Sequence, residues 1–179
     1  MNIILIGYRA TGKTTLARLL AEKLGWQWID ADVVVEQRAG KSIARIFAED
    51  GEPAFRDLEA EVTAELCKRS DLVLAAGGGA PLRPETRRRM RESGHVVWLT
   101  ASPETIHARM TGDATTAARR PSLTEKGALE EIVHLLEQRT PIYQETAHVT
   151  VDTEGKSPEQ IAREILQALP IQPVAEGTA

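Results

Sequence analysis

Eight residues near the start of the chain, Gly7-Tyr8-Arg9-Ala10-Thr11-Gly12-Lys13-Thr14, carry the spacing G-x-x-x-x-G-K-[ST]. The glycines let successive backbone N–H groups turn inward around phosphate oxygens, and a helix beginning at Lys13 would add the favourable end of its dipole. A lysine here reaches the terminal phosphates, and the Thr14 hydroxyl suits Mg2+. A glycine-containing strand-to-helix turn that binds nothing is the alternative. The context speaks against it, because an apolar run precedes the motif and a helical stripe follows it. The motif by itself says that a nucleoside triphosphate binds. The Asn-Lys-x-Asp base-reading motif of most GTPases is absent from the sequence, and 179 residues are few for a motor or helicase. A small kinase acting on a small acceptor is what remains.

Other residues could serve such a reaction. Asp30-Ala31-Asp32 closes a short strand-like segment, so one carboxylate can join a magnesium shell while the other orients or deprotonates an attacking hydroxyl. A turn with two solvated carboxylates fits the same three residues. Gly77-Gly78-Gly79 follows another apolar run. Its entropic cost is reasonable where a ligand or a second backbone comes close, and a merely flexible turn is the competing reading. Arg139 falls on the stripe of Ile132 and Leu136, so on a helix it points inward and calls for an anion, either a ligand or a structural carboxylate. Arg56 follows Phe55 at a helix start and by itself reads as a surface residue. Arg119-Arg120-Pro121 lies in the aperiodic stretch 111–126, where a mobile basic loop could close over phosphate or simply be solvated. The Arg87-Arg88-Arg89-x-Arg91 cluster reads as a solvated helix face.

The elements that would position these groups alternate. Strands are predicted at Asn2–Ile6, Trp28–Asp30, Leu72–Ala76, His95–Leu99 and Ala147–Val151. Helical spacing recurs in Leu16, Leu19, Leu20 and Leu24 before Gly25, in Leu58, Val62 and Leu66, and in Leu129, Ile132, Val133 and Leu136. Ser102-Pro103-Glu104 reads as a helix start, and Ser157-Pro158-Glu159-Gln160 as a capping box leading into Ile161, Ile165, Leu166 and Leu169. Strands separated by helices imply parallel crossovers, hence a three-layer α/β/α domain around a central five-stranded parallel sheet. Residues 33–57 and 111–126 fit no strand and read as excursions from it, and the small, polar end of the chain reads as a loose tail.

Composition removes other classes. Hydrophobic residues make up 42% of the chain, too many for a disordered one, and no apolar run approaches the ~20 residues of a membrane span. A lone Cys67 and four scattered histidines exclude a disulfide framework and a multi-Cys metal site. A net charge of −4 argues against a nucleic-acid partner. A cytoplasmic protein of one domain is expected. Sixteen of the 22 basic residues are arginine, which genome codon composition explains as well as anion binding does.

Taken together the motifs resemble shikimate kinase, a P-loop kinase of the nucleoside-monophosphate-kinase fold, over roughly residues 2–169. The resemblance rests on GYRATGKTT (7–15), IDADVVVEQRAGKSIARIFAEDGEPAFRDLE (29–59), GGG (77–79), RRPSLT (119–124) and EQRTPIYQETA (137–147). It implies phosphoryl transfer from ATP, with Mg2+, to the 3-hydroxyl of shikimate in chorismate biosynthesis. It implies ATP contacts from Gly7, Ala10, Thr11, Gly12, Lys13, Thr14 and Thr15, with Arg109 and Pro158 flanking adenine. Thr14 and Asp30 would serve the metal. Lys13, Asp32 and Arg120 would be catalytic, Arg120 as the lid arginine over the phosphate. Asp32, Arg56, Gly77, Gly78, Gly79 and Arg139 would bind shikimate, the two arginines clamping its carboxylate. The lid reads Arg-Pro-Ser-Leu where Arg-Pro-Leu-Leu is commoner, and Arg119 adjoins Arg120 as the other lid candidate. The expected organisation is a single kinase domain over 1–170, with a substrate-binding segment at 33–61, a lid at 111–126 and a tail at 171–179, acting as a monomer. A gluconate kinase would share the loop and lid, and a non-catalytic nucleotide-binding module would share the loop; the G-E-x-x-F-R-x-x-E span and the intact Lys13, Thr14, Asp30, Asp32 and Arg120 set the first reading above both.

Overall fold

The computed structural model describes residues 1–112 and 125–171, with side chains from 127 onward in the second span. Arg119, Arg120 and most of the expected lid and tail lie outside the described residues. The sheet contains β1 (Asn2–Ile6), β2 (Gln27–Asp30), β3 (Leu72–Ala75), β4 (Gly94–Thr100) and β5 (Val149–Asp152) in the order β2-β3-β1-β4-β5. All four pairings are parallel. Burial on both faces explains why β1 and β3 are read as apolar runs. Alternation then divides β1 between two cores: Ile4 and Ile6 face one helical layer, Ile3 and Leu5 the other.

The second layer is built by α1 (Lys13–Leu24) and by α8 (Pro158–Ala168), the last helix among the described residues. Leu16, Ala17, Leu20, Ala21 and Leu24 are the buried stripe of α1, which ends at Gly25 in the left-handed region. The capping box at Ser157 is present, with Gln160 returning a bond to the Ser157 backbone. On the opposite face lie α2 (Ala31–Ala39), α3 (Ile43–Glu49), α4 (Gly51–Leu66) and α5 (Pro84–Ser93). α6 (Pro103–Gly112) and α7 (Glu125–Thr146) pack on each other beside the phosphate loop, through Ile106, Met110 and Ile132. Among the described residues no helix is long and apolar enough to cross a membrane.

Four expectations change. Residues 33–57 are no excursion: Val35, Ile43, Ile46 and Phe55 are buried in the same core as Ile4, Ile6 and Leu74. Each short helix there contributes only one or two core residues, too few to show a periodic stripe. The helix expected to span Leu129–Leu136 runs on through Pro141 to Thr146, which moves the last strand to Val149–Asp152. Two members of the arginine cluster are not simply solvated. Arg87 donates to the Pro81 and Leu82 carbonyls, and Arg91 to those of Glu145, Thr146 and Ala147 at the end of α7. Arg88 and Arg89 do lie on the exposed face. Ile171, placed in the tail, packs against the α1–α8 core.

Candidate active site

The chain runs from β1 outward to β2 and β3 on one side and to β4 and β5 on the other. The carboxyl end of β1 is therefore a switch point, where α/β sheets leave a crevice for ligands. The phosphate loop occupies it. Gly7 has φ 139°, and a Cβ there would come within 2.5 Å of the Leu99 carbonyl oxygen. Ala10 and Gly12 also take positive φ, and Gly12 leads directly into α1. Lys13 Nζ donates to the carbonyls of Gly7 (2.9 Å) and Tyr8 (2.7 Å), so the ammonium folds back over the loop. Thr11 Oγ1 donates to the Tyr8 carbonyl at 2.8 Å. Thr14 Oγ1 donates to Asp30 Oδ2 at 2.6 Å, while Asp30 Oδ1 caps α2 by accepting from the Asp32 backbone N–H. The strand-end carboxylate is thereby fixed against the loop hydroxyl.

The triple glycine follows β3 and is shaped by what presses on it. A Cβ on Gly77 would strike Glu59 Oε1 and come within 2.9 Å of Asp32 Oδ1. One on Gly79 would strike the Arg56 guanidinium, and one on Gly78 would lie 3.7 Å from Arg139 Nη1. Gly77 and Gly79 therefore make room for two acids and one arginine, Gly78 leaves Arg139 in ordinary contact, and the flexible-turn alternative falls. Arg56 is no surface residue. Its side chain is 12% exposed, paired with Glu59 at 2.7 Å and Glu52 at 3.1 Å, and it lies over Phe55.

Arg139 does point inward from α7 into the cleft. Its Cζ sits 5.7 Å from the centre of the Tyr8 ring, and no carboxylate among the described residues pairs with it. Tyr143, one turn on, donates to the Gly78 carbonyl at 2.6 Å. Burial pushes its phenol up to about 12 against the opposing pull of Arg139, so it remains a proton donor throughout the physiological range.

A cavity of about 310 Å³ joins these parts. Ala10, Gly12, Lys13, Thr14, Thr15, Asp30, Asp32, Gly78 and Arg139 line it, with Ile43 and Leu135 as apolar wall. Gly7, Thr11, Arg56, Gly77 and Gly79 are not among its lining residues: Gly7, Thr11 and Gly77 bear on Lys13, Tyr8 and Asp32, which are, while Arg56 lies against Gly79, next to the lining Gly78. Arg109 and Pro158 stand apart. Arg109 donates to the Ala10 carbonyl, to Thr153 Oγ1 at 3.0 Å and to the Thr153 carbonyl, fastening α6 to the loop and to the turn after β5. Pro158 opens α8 beside the Ser157 cap. Glu59, Tyr8 and Tyr143 were missed as functional candidates in the sequence. The first closes the G-E-x-x-F-R-x-x-E span, where its i+3 spacing from Arg56 is a usable signal, and Tyr143 closes R-x-P-x-Y.

Comparison with known proteins agrees with this geometry. Residues 9–170 match the family model for shikimate kinase. A protein of Rhodopirellula baltica named shikimate kinase is 44% identical over 169 residues, covering 94% of this chain and 90% of its own. The solved structure of shikimate kinase from Acinetobacter baumannii in complex with shikimate superposes with a TM-score of 0.86 at 37% identity, over 93% of this chain and 90% of that one. A gluconokinase from Sinorhizobium meliloti, covering 93% and 90%, reaches only 0.55 at 17% identity, a likeness of fold alone. With the family model spanning nearly the whole chain and a relative so similar along its full length, this protein belongs to the shikimate kinase family.

Proposed function

We propose that this ATP-dependent kinase moves the γ-phosphoryl group of ATP onto the 3-hydroxyl of shikimate, with the residues above in the following roles. The observation that carries the reading is the placing of Arg56 and Arg139 against Gly79 and Gly78, beside the phosphate loop. Two guanidiniums at one backbone turn suit a carboxylated acceptor. The relative solved with shikimate supports the choice of acid.

The loop amides and the start of α1 would hold the phosphates. Lys13 would exchange its two carbonyl partners for phosphate oxygens, an exchange of hydrogen bonds that keeps the ammonium solvated by the site throughout. Thr14 and Asp30 present a hydroxyl and a carboxylate oxygen 2.6 Å apart, hard donors that suit Mg2+ with waters and phosphate oxygens completing its shell. When bound, the ion would neutralise charge developing on the phosphates. Asp32 would accept the hydrogen bond of the attacking hydroxyl and take its proton as the new P–O bond forms and the bond to ADP breaks. Glu59 would hold Arg56 at its angle, and Arg120 would cover the transferring group. Action in the cytoplasm as a monomer belongs to the same reading, the demand for ATP supporting the compartment.

Purified protein with MgATP is expected to release ADP when shikimate is added and at no more than about 1% of that rate with gluconate, a difference of a few kcal/mol in transition-state binding. Equal rates in a coupled ADP assay would overturn the assignment. Gly79→Ala is expected to push the Arg56 guanidinium aside and raise the shikimate KM by about tenfold, within the ~1–3 kcal/mol of overpacking, while the ATP KM holds. An unchanged shikimate KM would remove Arg56 from the acceptor site.

A further inference from the structure

We infer that Tyr8 is a positioning residue that sets the Arg139 guanidinium for the acceptor and joins it mechanically to the nucleotide loop. The inference rests on the reading of Arg139 as a carboxylate-binding residue. Tyr8 belongs to the phosphate loop by its backbone and to the acceptor end by its side chain. Its carbonyl accepts from both Lys13 Nζ and Thr11 Oγ1. Its ring, 2% exposed, is fixed by Ile106, Met110 and Ile132. Arg139 Cζ lies 5.7 Å from the ring centre, inside the ~6 Å over which a ring face attracts a cation. Arg9 approaches the same ring at 5.7 Å, but Glu131 stands 4.0 Å from its guanidinium. Arg139 has no such carboxylate among the described residues, so the ring and the neighbouring Tyr143 are what restrain it before an acid arrives. A long arginine side chain otherwise gives up rotamer freedom on binding, and the ring removes part of that cost in advance. An arginine spread over several rotamers would still bind shikimate, only more weakly. The motif x-positions of a phosphate loop are free to vary for phosphate binding, since that relies on backbone N–H groups. Packing against Ile106, Met110 and Ile132 accounts for a bulky apolar side chain at position 8, and the contact with Arg139 accounts for its being aromatic.

The test is a double-mutant cycle in steady-state kinetics on the full chain. Tyr8→Leu should raise the shikimate KM by about tenfold, the scale of a partly desolvated cation–π contact, with the ATP KM and kcat within about threefold. Tyr8→Phe, which keeps the ring face, should return most of the shikimate affinity. In the Arg139→Met background, itself strongly raised in shikimate KM, Tyr8→Leu should add less than about twofold. Tyr8→Met, a flexible side chain that adapts to an irregular gap without a ring, replaces the leucine variant if that one does not fold. Additive effects in the cycle, an unchanged shikimate KM in Tyr8→Leu, or an equal rise in the ATP KM would overturn the proposal. If Arg139→Met leaves the shikimate KM unchanged, the role of Arg139 fails first and this inference falls with it; a strong effect of Arg139→Met with none from Tyr8→Leu defeats this inference alone.

Discussion

Asp32→Asn is expected to lower kcat by about 10²–10⁴-fold, the range of a lost general base, with KM values for ATP and shikimate changed by no more than a few-fold. The amide keeps the size of the carboxylate and can still sit beside Gly77, where the native oxygen has barely room for a glycine. What it loses is the capacity to take a proton and the charge that orients the hydroxyl. Thermal denaturation should show a folded protein, since the cap of α2 depends on the Asp32 backbone N–H and the Asp30 side chain. Turnover within threefold of the native enzyme would strip Asp32 of its role. A loss confined to KM would make it a binding residue only.

Arg56→Met is expected to do two things at once. Its guanidinium is the partner of a glutamate whose side chain is only 4% exposed, so removal leaves a buried carboxylate without that cation. Breaking such a pair costs about 3–5 kcal/mol, which for a domain of this size is a fall in Tm on the order of 10 °C. The shikimate KM should rise as well. The double variant Arg56→Met/Glu59→Leu separates the two effects: it should recover most of the Tm and none of the acceptor affinity. Arg139→Met is the contrasting case, losing acceptor affinity with little change in Tm, because no buried carboxylate among the described residues depends on it. A Tm for Arg56→Met within 2 °C of the native value, roughly 1 kcal/mol, would show the ion pair to be energetically idle.

β1 and β3 were legible because parallel strands buried on both faces have to be runs of apolar residues, and the phosphate loop because its backbone demands glycines at fixed offsets. Arg139 was legible for a different reason: a charge on an apolar stripe is costly enough to need an explanation. Glu59 sits on the same kind of stripe, between Phe55 and Val62 of α4, but three residues after Arg56 it reads as half of an ordinary surface ion pair, and the crowding by Gly77 and Asp32 comes from other elements. Arg87 and Arg91 illustrate the opposite difficulty. Their hydrogen-bond partners are backbone carbonyls, of residues 81 and 82 and of residues 145–147, and carbonyls leave no trace in residue type. Pro141 hid the length of α7, since a proline reads as a stop wherever packing does not hold the helix together.

The pairing of Arg56 with Glu59 alters how the whole cleft presents itself to solution. Among the described residues Arg9, Lys13, Arg56 and Arg139 carry four positive charges there, and Asp30, Asp32, Glu59 and Glu131 carry four negative ones. Among the described residues the arginines therefore bring no excess of positive charge to the site, and on that balance an incoming anion gains little attraction from beyond the screening length of physiological salt. Recognition is left to contact range, where a planar carboxylate meets fixed guanidiniums and a misplaced anion meets fixed acids. A cleft of this kind selects among small anions by geometry more than by net charge.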